Sequence, residues 1–268
     1  MSASSFFQNR ERNRRHRNRR SPFQQWLEVL AIGSWGGLFL KYWLTGKLYL
    51  LIHPNYFGLT VVGGIGLIVV ALLRLLYLFR GQSASVVGGA QHLNLFPPLI
   101  SSLLLLVTAI AGLMVEPRAF ASPMAAQRGL GESSALTRTR PQAFRSQTVP
   151  EDRSLIDWVR TLNVYPEPDA YTGQKVKVQG FVTYPSVSSG LGDRYLGITR
   201  FVITCCAADV YPVSLPVKLT QNRAAYPLDR WFEVEGRMIT ETLGGKRQLV
   251  IEAKSLKSIP EPKNPYDY

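Results

Sequence analysis

Two adjacent cysteines are the residues whose types and spacing most clearly suggest chemistry. Cys205 and Cys206 are the only cysteines of the chain, and Asp209 follows three residues after the second, in FVITCCAADVYPV. Neighbouring side chains of a regular strand point to opposite faces, so both thiols can face one ligand only if the chain turns there. The Ala-Ala-Asp stretch predicts such a turn. Two thiolates and one carboxylate would then bind a metal ion such as zinc or copper.

Other interpretations of the cysteine pair remain open. Cysteine often behaves as a small apolar residue, so one of the thiols could simply be buried in the fold. Adjacent Cα atoms are about 3.8 Å apart, less than the usual span of a disulfide, so a disulfide between Cys205 and Cys206 would be strained and redox-labile. A metal would also need a further ligand, and the sequence after residue 116 contains no histidine. We therefore consider His53, in LYLLIHPNYF, as a transient ligand.

The region around the cysteines shows the alternation of apolar and polar residues that is typical of β-strands. It predicts five strands, at 175–184, 195–205, 211–219, 231–240 and 248–259, after a short helix over 152–162. Gly180 and Gly236 lie where bulges would bend two strands, and Gly244 and Gly245 predict a tight turn. Five short, bulged strands fit a small OB-like five-stranded β-barrel better than an immunoglobulin sandwich, which has about seven.

The first half of the chain contains three long apolar segments. They extend over about 26–44, 56–79 and 95–115, and each is long enough for a transmembrane helix. Gly63, Gly64 and Gly66 in the second segment offer a surface of small residues where another helix could pack closely. The sequence therefore predicts an α+β membrane protein in which three transmembrane helices precede the OB-like domain.

Nearly half of the net charge of +13 lies in the first 20 residues, where seven arginines stand against one glutamate. We assign contact with anionic lipid headgroups and a topology signal to six of them, Arg12, Arg14, Arg15, Arg17, Arg19 and Arg20. Such a segment stays in the cytoplasm, so three spans would place the β domain outside it, at the plasma (inner) membrane. A basic arm can also bind nucleic acid. An extracytoplasmic barrel meets little of it, so we do not expect that partner.

These features divide the chain into five parts. Residues 1–24 form a disordered basic arm, 25–115 the transmembrane region, 116–150 a linker, 151–262 the β domain and 263–268 a tail. The arm is too charged to bury apolar surface, and the linker mixes Pro, Gly and Ser without periodicity. No Ser-His-acid constellation, phosphate-binding loop or pair of carboxylates in a plausible cleft is evident in the sequence, so we do not expect an enzyme.

Several stretches of the sequence resemble the YcgQ-like family of bacterial membrane proteins. They are the loop of His53 and Pro54, EPRAFAS and AAQRG after the third apolar segment, YTGQKVKVQGFV, and FVITCCAADVYPV. The resemblance covers most of the chain from the first apolar segment onward, but not the arginine-rich arm. It implies an accessory subunit that pairs with a larger polytopic membrane permease, and it implies no substrate.

Two hypotheses for the function follow from these observations. The first is an accessory subunit of a membrane permease complex, whose β domain handles a divalent metal through Cys205, Cys206 and Asp209. The second is a membrane-tethered module for protein interaction or thiol redox chemistry, without a transported substrate. Metal binding under reducing conditions would distinguish the two.

Overall fold

A computed structural model describes residues 21–80, 97–128, 149–185 and 192–268. The arginines assigned to lipid contact and topology, Arg12, Arg14, Arg15, Arg17, Arg19 and Arg20, lie outside the described residues. The chain divides into two compact units. Met1–Gly46 and Phe57–Glu116 form the first, called the helical unit, and Lys47–Tyr56 and Pro117–Tyr268 form the second, called the β unit.

The described residues of the helical unit form three helices, α1 (Pro22–Leu44), α2 (Phe57–Phe79) and α3 (Pro98–Met114). Proline is favoured in a first helical turn, and the Ser21 side chain caps α1 by accepting a hydrogen bond from the Gln24 amide at 3.3 Å. α1 packs against both α2 and α3. Each of the three predicted apolar segments therefore overlaps one of these helices.

One helix among the described residues is, by length and composition, able to cross a membrane. It extends over Pro54–Phe79 and coincides with the predicted second span, whereas the apolar helix Leu99–Met114 is shorter. Large apolar side chains on α2 and α3 are exposed, for example Leu59 at 73% and Leu104 at 58%. That α1 and α3 also cross a membrane stays a prediction.

Two glycines form a close contact between α1 and α2. A Cβ atom on Gly36 would lie 2.9 Å from the Gly64 carbonyl oxygen, and one on Gly64 would lie 3.2 Å from the Phe39 Cβ. Small residues at these positions therefore allow the two backbones to approach. Of the three glycines predicted to pack, Gly64 faces α1, whereas a Cβ atom on Gly63 or Gly66 would meet no described atom within 4 Å.

Polar side chains also join the three helices. Arg74 on α2 pairs with Glu28 on α1 at 2.8 Å. Near the other end of α1, Lys41 donates to the Leu113 carbonyl at 2.7 Å, and Tyr42 donates to the carbonyl one residue earlier. Carbonyls in the last turn of a helix lack intrahelical partners. The two side chains of α1 therefore cap the end of α3.

The β unit contains a mixed sheet of six strands. They are β1 (Lys175–Thr183), β2 (Tyr195–Val202), β3 (Tyr211–Lys218), β4 (Trp231–Leu243), β5 (Lys246–Ser258) and β6 (Tyr266–Asp267). The strand order is β1-β4-β5-β3-β2-β6, and β1 pairs with β2 as well as with β4. β3 is parallel to β5 and β2 to β6, and the other pairs are antiparallel. The pairings of β1, β4, β5, β3 and β2 therefore form a closed cycle, because β2 also pairs with β1.

Glycines shape these strands at three places. β1 changes partner near Gly180, where a Cβ atom would lie 2.6 Å from the Thr199 carbonyl oxygen. The register of β1 with β4 continues unbroken through that residue, so the bulge predicted there is wrong and the glycine serves a close approach instead. The bulge at Gly236 is confirmed by a register shift directly before it. The predicted turn between β4 and β5 is also confirmed, since Gly244 and Gly245 have φ values of 56° and 78°.

The main core lies between the strands and one amphipathic helix, α5 (Leu155–Val164). Ser154 and Asp157 form a capping box that starts this helix close to its predicted beginning. The buried face of α5 consists of Leu155, Ile156, Trp158 and Val159. These side chains join apolar residues from β1 to β5 in one buried cluster, which makes α5 part of the domain.

A second apolar cluster supports the region of the cysteines. Its buried members are Ala125, Phe181, Phe201, Ile203, Val210, Trp231 and Tyr266, and Leu50 and Phe120 pack against it. Leu50 belongs to the stretch between α1 and α2, and Ala125 lies on a short helix, α4 (Ser122–Gln127), within the predicted linker. Tyr266 belongs to β6, within the predicted tail. Parts of the linker and the tail are thus ordered elements of the β unit.

Candidate metal centre

The cysteine loop, residues 203–210, connects β2 to β3. Ile203 and Val210 at its two ends are fully buried in the second cluster, and the chain turns at Ala207 and Ala208. The predicted turn is therefore confirmed, although both cysteines lie after β2, which ends at Val202. Burial of both ends gives the loop a defined position on the domain.

Asp209 organises the cysteine loop through hydrogen bonds. Its carboxylate accepts from the Cys205 amide at 2.7 Å and from the Cys206 amide at 3.2 Å. It also accepts from the hydroxyl and the amide of Thr204. Burial opposes ionisation, but the hydrogen bonds from Thr204 and the two cysteines outweigh it and hold the pKa of Asp209 below its ordinary value. The carboxylate is therefore a fixed negative charge beside the thiols.

The turn brings the two sulfur atoms close together. The Sγ atoms of Cys205 and Cys206 are 3.7 Å apart. The ligand atoms of these cysteines and Asp209 all lie within 4.8 Å of one another. Two thiolates bound to a tetrahedral zinc ion at about 2.3 Å lie about 3.8 Å apart. The sulfur separation thus suits zinc, and it is much longer than the S–S bond of a disulfide, about 2.05 Å.

The surroundings of Cys205 make its thiol a poor nucleophile. Hydrogen bonds to Asp209 and Cys206, with smaller contributions from burial and nearby negative charge, raise the pKa of Cys205 to about 11. The thiolate is the reactive form of cysteine, and little of it is present at neutral pH with such a pKa. A coordinated metal cation deprotonates a thiol outright. The free site therefore holds a protonated Cys205, exposed at the surface.

Residues from the stretch between α1 and α2 pair with the cysteine loop. The His53 amide donates to the Cys205 carbonyl at 3.0 Å, and the Ala207 amide donates at 2.8 Å to the carbonyl two residues before His53. Ile52 forms an antiparallel bridge with Cys206, which lies between Cys205 and Ala207. The sequence analysis considered His53 as a transient ligand but did not predict this pairing, because an isolated bridge leaves no periodic signal.

Two further groups hold the backbone of the loop. Arg128, directly after α4, donates to the carbonyls of Ala208, at 3.2 Å, and Val210. The Ile203 amide donates at 3.1 Å to the carbonyl of Asp267 in β6. The loop is thus tied to three segments distant in sequence, and this arrangement could not be read from local pattern.

The imidazole of His53 is already engaged. Its Nδ1 accepts a hydrogen bond from the Asn55 amide at 3.1 Å. A neutral imidazole whose Nδ1 accepts a hydrogen bond carries its proton on Nε2, so neither nitrogen keeps a free lone pair for a metal. The ring also packs edge-on against Tyr268, with the centroids 4.9 Å apart. The backbone amide of His53 thus positions the loop, and the predicted role of its imidazole as a ligand stays a prediction.

The β unit is also the part of the chain for which comparison with known proteins gives a result. Residues 144–268 match the family model of the DUF1980 C-terminal domain. The match contains α5, all six strands and the cysteine loop, but neither α1 to α3 nor residues 47–56. No curated protein and no solved structure matches the chain. The family description names no activity, so the YcgQ-like resemblance and the permease role stay predictions.

Proposed function

We propose that this protein is an accessory subunit of a membrane permease complex and that its β unit binds a divalent metal through Cys205, Cys206 and Asp209. The observation that carries the proposal is the 3.7 Å separation of the two sulfur atoms, on a loop fixed at both ends. Zinc and copper are the metals that such thiolate-rich sites favour. The carboxylate of Asp209 would be the third ligand and would keep its hydrogen bonds to the loop amides.

Residence in a membrane is supported by the surface of the helical unit. α2 carries exposed apolar side chains along its length, including Leu59, Leu72 and Phe79 at 73%, 54% and 71%. Continuous apolar surface of this kind marks contact with lipid or with another protein. We propose three spans, with the basic arm in the cytoplasm and the β unit outside it, because cytoplasmic segments carry an excess of Arg and Lys.

An OB-like five-stranded barrel is the architecture that the strand pairings support best. β1 pairs with both β4 and β2, and β3 is parallel to β5. Closure of this kind removes exposed strand edges, and the close approach at Gly180 fits a strand that bends between two partners. The barrel would present the cysteine loop at one end, between β2 and β3. Fold alone does not assign function, so the proposal depends on the loop.

Metal binding is tested on the full chain, purified in detergent under reducing conditions. We expect one zinc ion per chain in competition with a chromophoric chelator. The variants Cys205→Ser and Cys206→Ser should lose this binding, and Asp209→Asn should weaken it. Ala208→Ser is the matched control, because it adds a hydroxyl at an exposed position of the same loop and leaves all three ligand residues in place. Equal zinc affinity in all five proteins would contradict the site.

The redox alternative gives a different result in the same preparation. Mild oxidation would then join Cys205 to Cys206, which mass spectrometry detects as the loss of two hydrogen atoms. We expect the reduced, zinc-bound form to resist this oxidation, because each thiolate would donate a lone pair to the metal and be less reactive toward the oxidant. Rapid formation of the disulfide in the presence of zinc, with no zinc retained, would favour the redox module.

Orientation and partnership need separate tests. Both cysteines lie in the β unit and Cys205 is exposed, so a membrane-impermeant maleimide should label intact cells that express the chain. Labelling only after permeabilisation would contradict the proposed orientation. Copurification from membranes should recover a polytopic protein. Deletion of the chain should abolish metal transport, and the wild-type chain, but not Cys205→Ser, should restore that transport. Recovery of the chain alone, without a polytopic protein, would contradict the accessory role.

A further inference from the structure

We propose that a metal at the cysteine loop keeps one coordination position for a ligand from outside the β unit, an incoming thiol or imidazole, so that the site passes its metal on by ligand exchange. This inference rests on the proposed metal binding. It adds that the site is open and transient, and that the recipient presents a Cys or His side chain.

The number of donors is the first argument. Among the described residues, the group around the loop has three ligand atoms, from Cys205, Cys206 and Asp209. Structural zinc sites have four protein ligands, whereas sites that exchange or activate a ligand have three and an open position. His53, the one histidine among the described residues, accepts a hydrogen bond at Nδ1 and has no free lone pair in this geometry.

Backbone carbonyls of the loop are engaged in hydrogen bonds that hold its shape. The Cys205 carbonyl accepts from the His53 amide, and the Cys206 carbonyl accepts from the Asp209 amide at 3.0 Å. The Ala208 carbonyl accepts from Arg128 at 3.2 Å. Three of the carbonyls nearest the thiols are therefore occupied. Because the loop is tied at both ends, wrapping it around an ion would break several of these bonds.

The exposure of the ligands decides where the fourth ligand comes from. Cys205 is exposed, whereas Cys206 and Asp209 are half-buried. A metal held by these atoms would be shielded on the Asp209 side and open on the Cys205 side. Thiolate-bound zinc or copper accepts thiols and imidazoles readily as further ligands. The open side thus fits a soft side chain of a recipient protein.

The exchange balances in ligands and protons. The incoming thiol or imidazole binds the open position, and an incoming thiol releases its proton to solvent as it binds. The bonds from the metal to Cys205, Cys206 and Asp209 then break in turn, and each departing thiolate takes up a proton. The metal keeps its oxidation state throughout.

The test uses the full chain loaded with cobalt, whose visible absorption reports on coordination. We expect imidazole or a small thiol to change the cobalt spectrum at saturable concentrations while the metal stays bound. We also expect the rate of zinc transfer to a thiol-containing chelator to rise in proportion to the chelator concentration. The inference would be overturned if neither imidazole nor thiol changed the cobalt spectrum and the transfer rate did not depend on the chelator concentration. That result would show that the chain itself fills every coordination position of the metal.

Two variants sharpen this result. Ala208→His offers an internal imidazole from the exposed part of the loop and should suppress the response to added imidazole. Asp193→His, a substitution in the turn before β2, is the control and should leave the response unchanged. If the wild-type chain binds no metal at all, the proposed function itself fails. If it binds metal but shows no exchange, only this inference fails.

Discussion

The two units of the chain differ in how far their apolar side chains are buried. In the helical unit, Leu73 on α2 and Leu104 on α3 remain 50% and 58% exposed. In the β unit, Leu196 and Ile198 on β2 are fully buried, as is Trp158 on α5. The β unit therefore has a core of its own, whereas the helical unit presents apolar surface that lipid or another protein would cover. Stability should consequently depend on single side chains in one unit far more than in the other.

Removing a core aromatic should have the largest effect. Phe201 is 1% exposed in the second cluster, two residues before the start of the cysteine loop. Phe201→Ala should lower the free energy of unfolding of the β unit by about 3–5 kcal/mol, because it leaves a cavity. Hydrogen exchange of β2 and β3 in the full chain, measured in detergent with added urea, reports this loss. Leu72→Ala on exposed α2 is the matched control, and an equal loss in both variants would refute the contrast.

A buried ion pair should have the next largest effect. Asp267 in β6 pairs with Arg200 in β2 at 3.0 Å, and the side chains are only 10% and 15% exposed. Asp267→Ala should destabilise the β unit by about 3 kcal/mol, because it leaves the Arg200 charge buried without its partner. Asp169→Ala, which breaks the exposed pair of Asp169 with Arg247, should cost less than about 1 kcal/mol. Thermal unfolding of both variants in the same detergent makes the comparison, and equal losses would contradict it.

Local pattern was sufficient for the longer elements of both units, α1 to α3, α5 and β1 to β5. The alternation of Val176, Val178 and Phe181 with polar residues predicted β1 within one residue of its end, and the Gly-Gly pair predicted the turn of positive φ after β4. Burial of one strand face imposes that alternation, so the pattern is visible in the sequence. The turn that gathers the thiols was predicted in the same way, from Ala207 to Asp209.

Long-range contacts were not accessible to the same reasoning. β6 has two residues, too few for any alternation, and Tyr266 and Asp267 were assigned to a tail. The bridge of Ile52 to the cysteine loop joins residues more than 150 positions apart, and no sequence pattern near His53 indicates it. The role of Arg128 depends on the carbonyls that the fold brings to it. Such contacts follow from the tertiary structure, which local pattern does not encode.

The reactivity of Cys205 tests whether the ordered loop exists in solution. With a pKa of about 11, Cys205 should react with iodoacetamide on the order of 10- to 100-fold more slowly at pH 8 than an ordinary exposed thiol. Asp209→Asn removes the carboxylate that accepts a hydrogen bond from the Cys205 thiol, together with its negative charge, which should lower the pKa of Cys205 and speed the reaction. Asp193→Asn, outside the loop, should not change it. Mass spectrometry of the modified peptide gives the rates. If unfolding the chain in urea left the rate for Cys205 unchanged, the loop would not be ordered in solution as described.

Glycine-to-alanine substitutions should have the smallest effects, and they allow the same chemical change to be compared in the two units. A Cβ atom on Gly236 would overlap the Glu252 carbonyl oxygen of the neighbouring strand, so Gly236→Ala should destabilise the β unit by about 1–3 kcal/mol. A Cβ atom on Gly63 would meet no described atom within 4 Å, so Gly63→Ala should change the stability of the isolated chain by less than about 1 kcal/mol. If Gly63→Ala nevertheless abolishes copurification with a polytopic protein, that face of α2 is a packing surface for the partner. If copurification is unchanged, close packing at Gly63 is excluded and contact must lie elsewhere on the exposed helices.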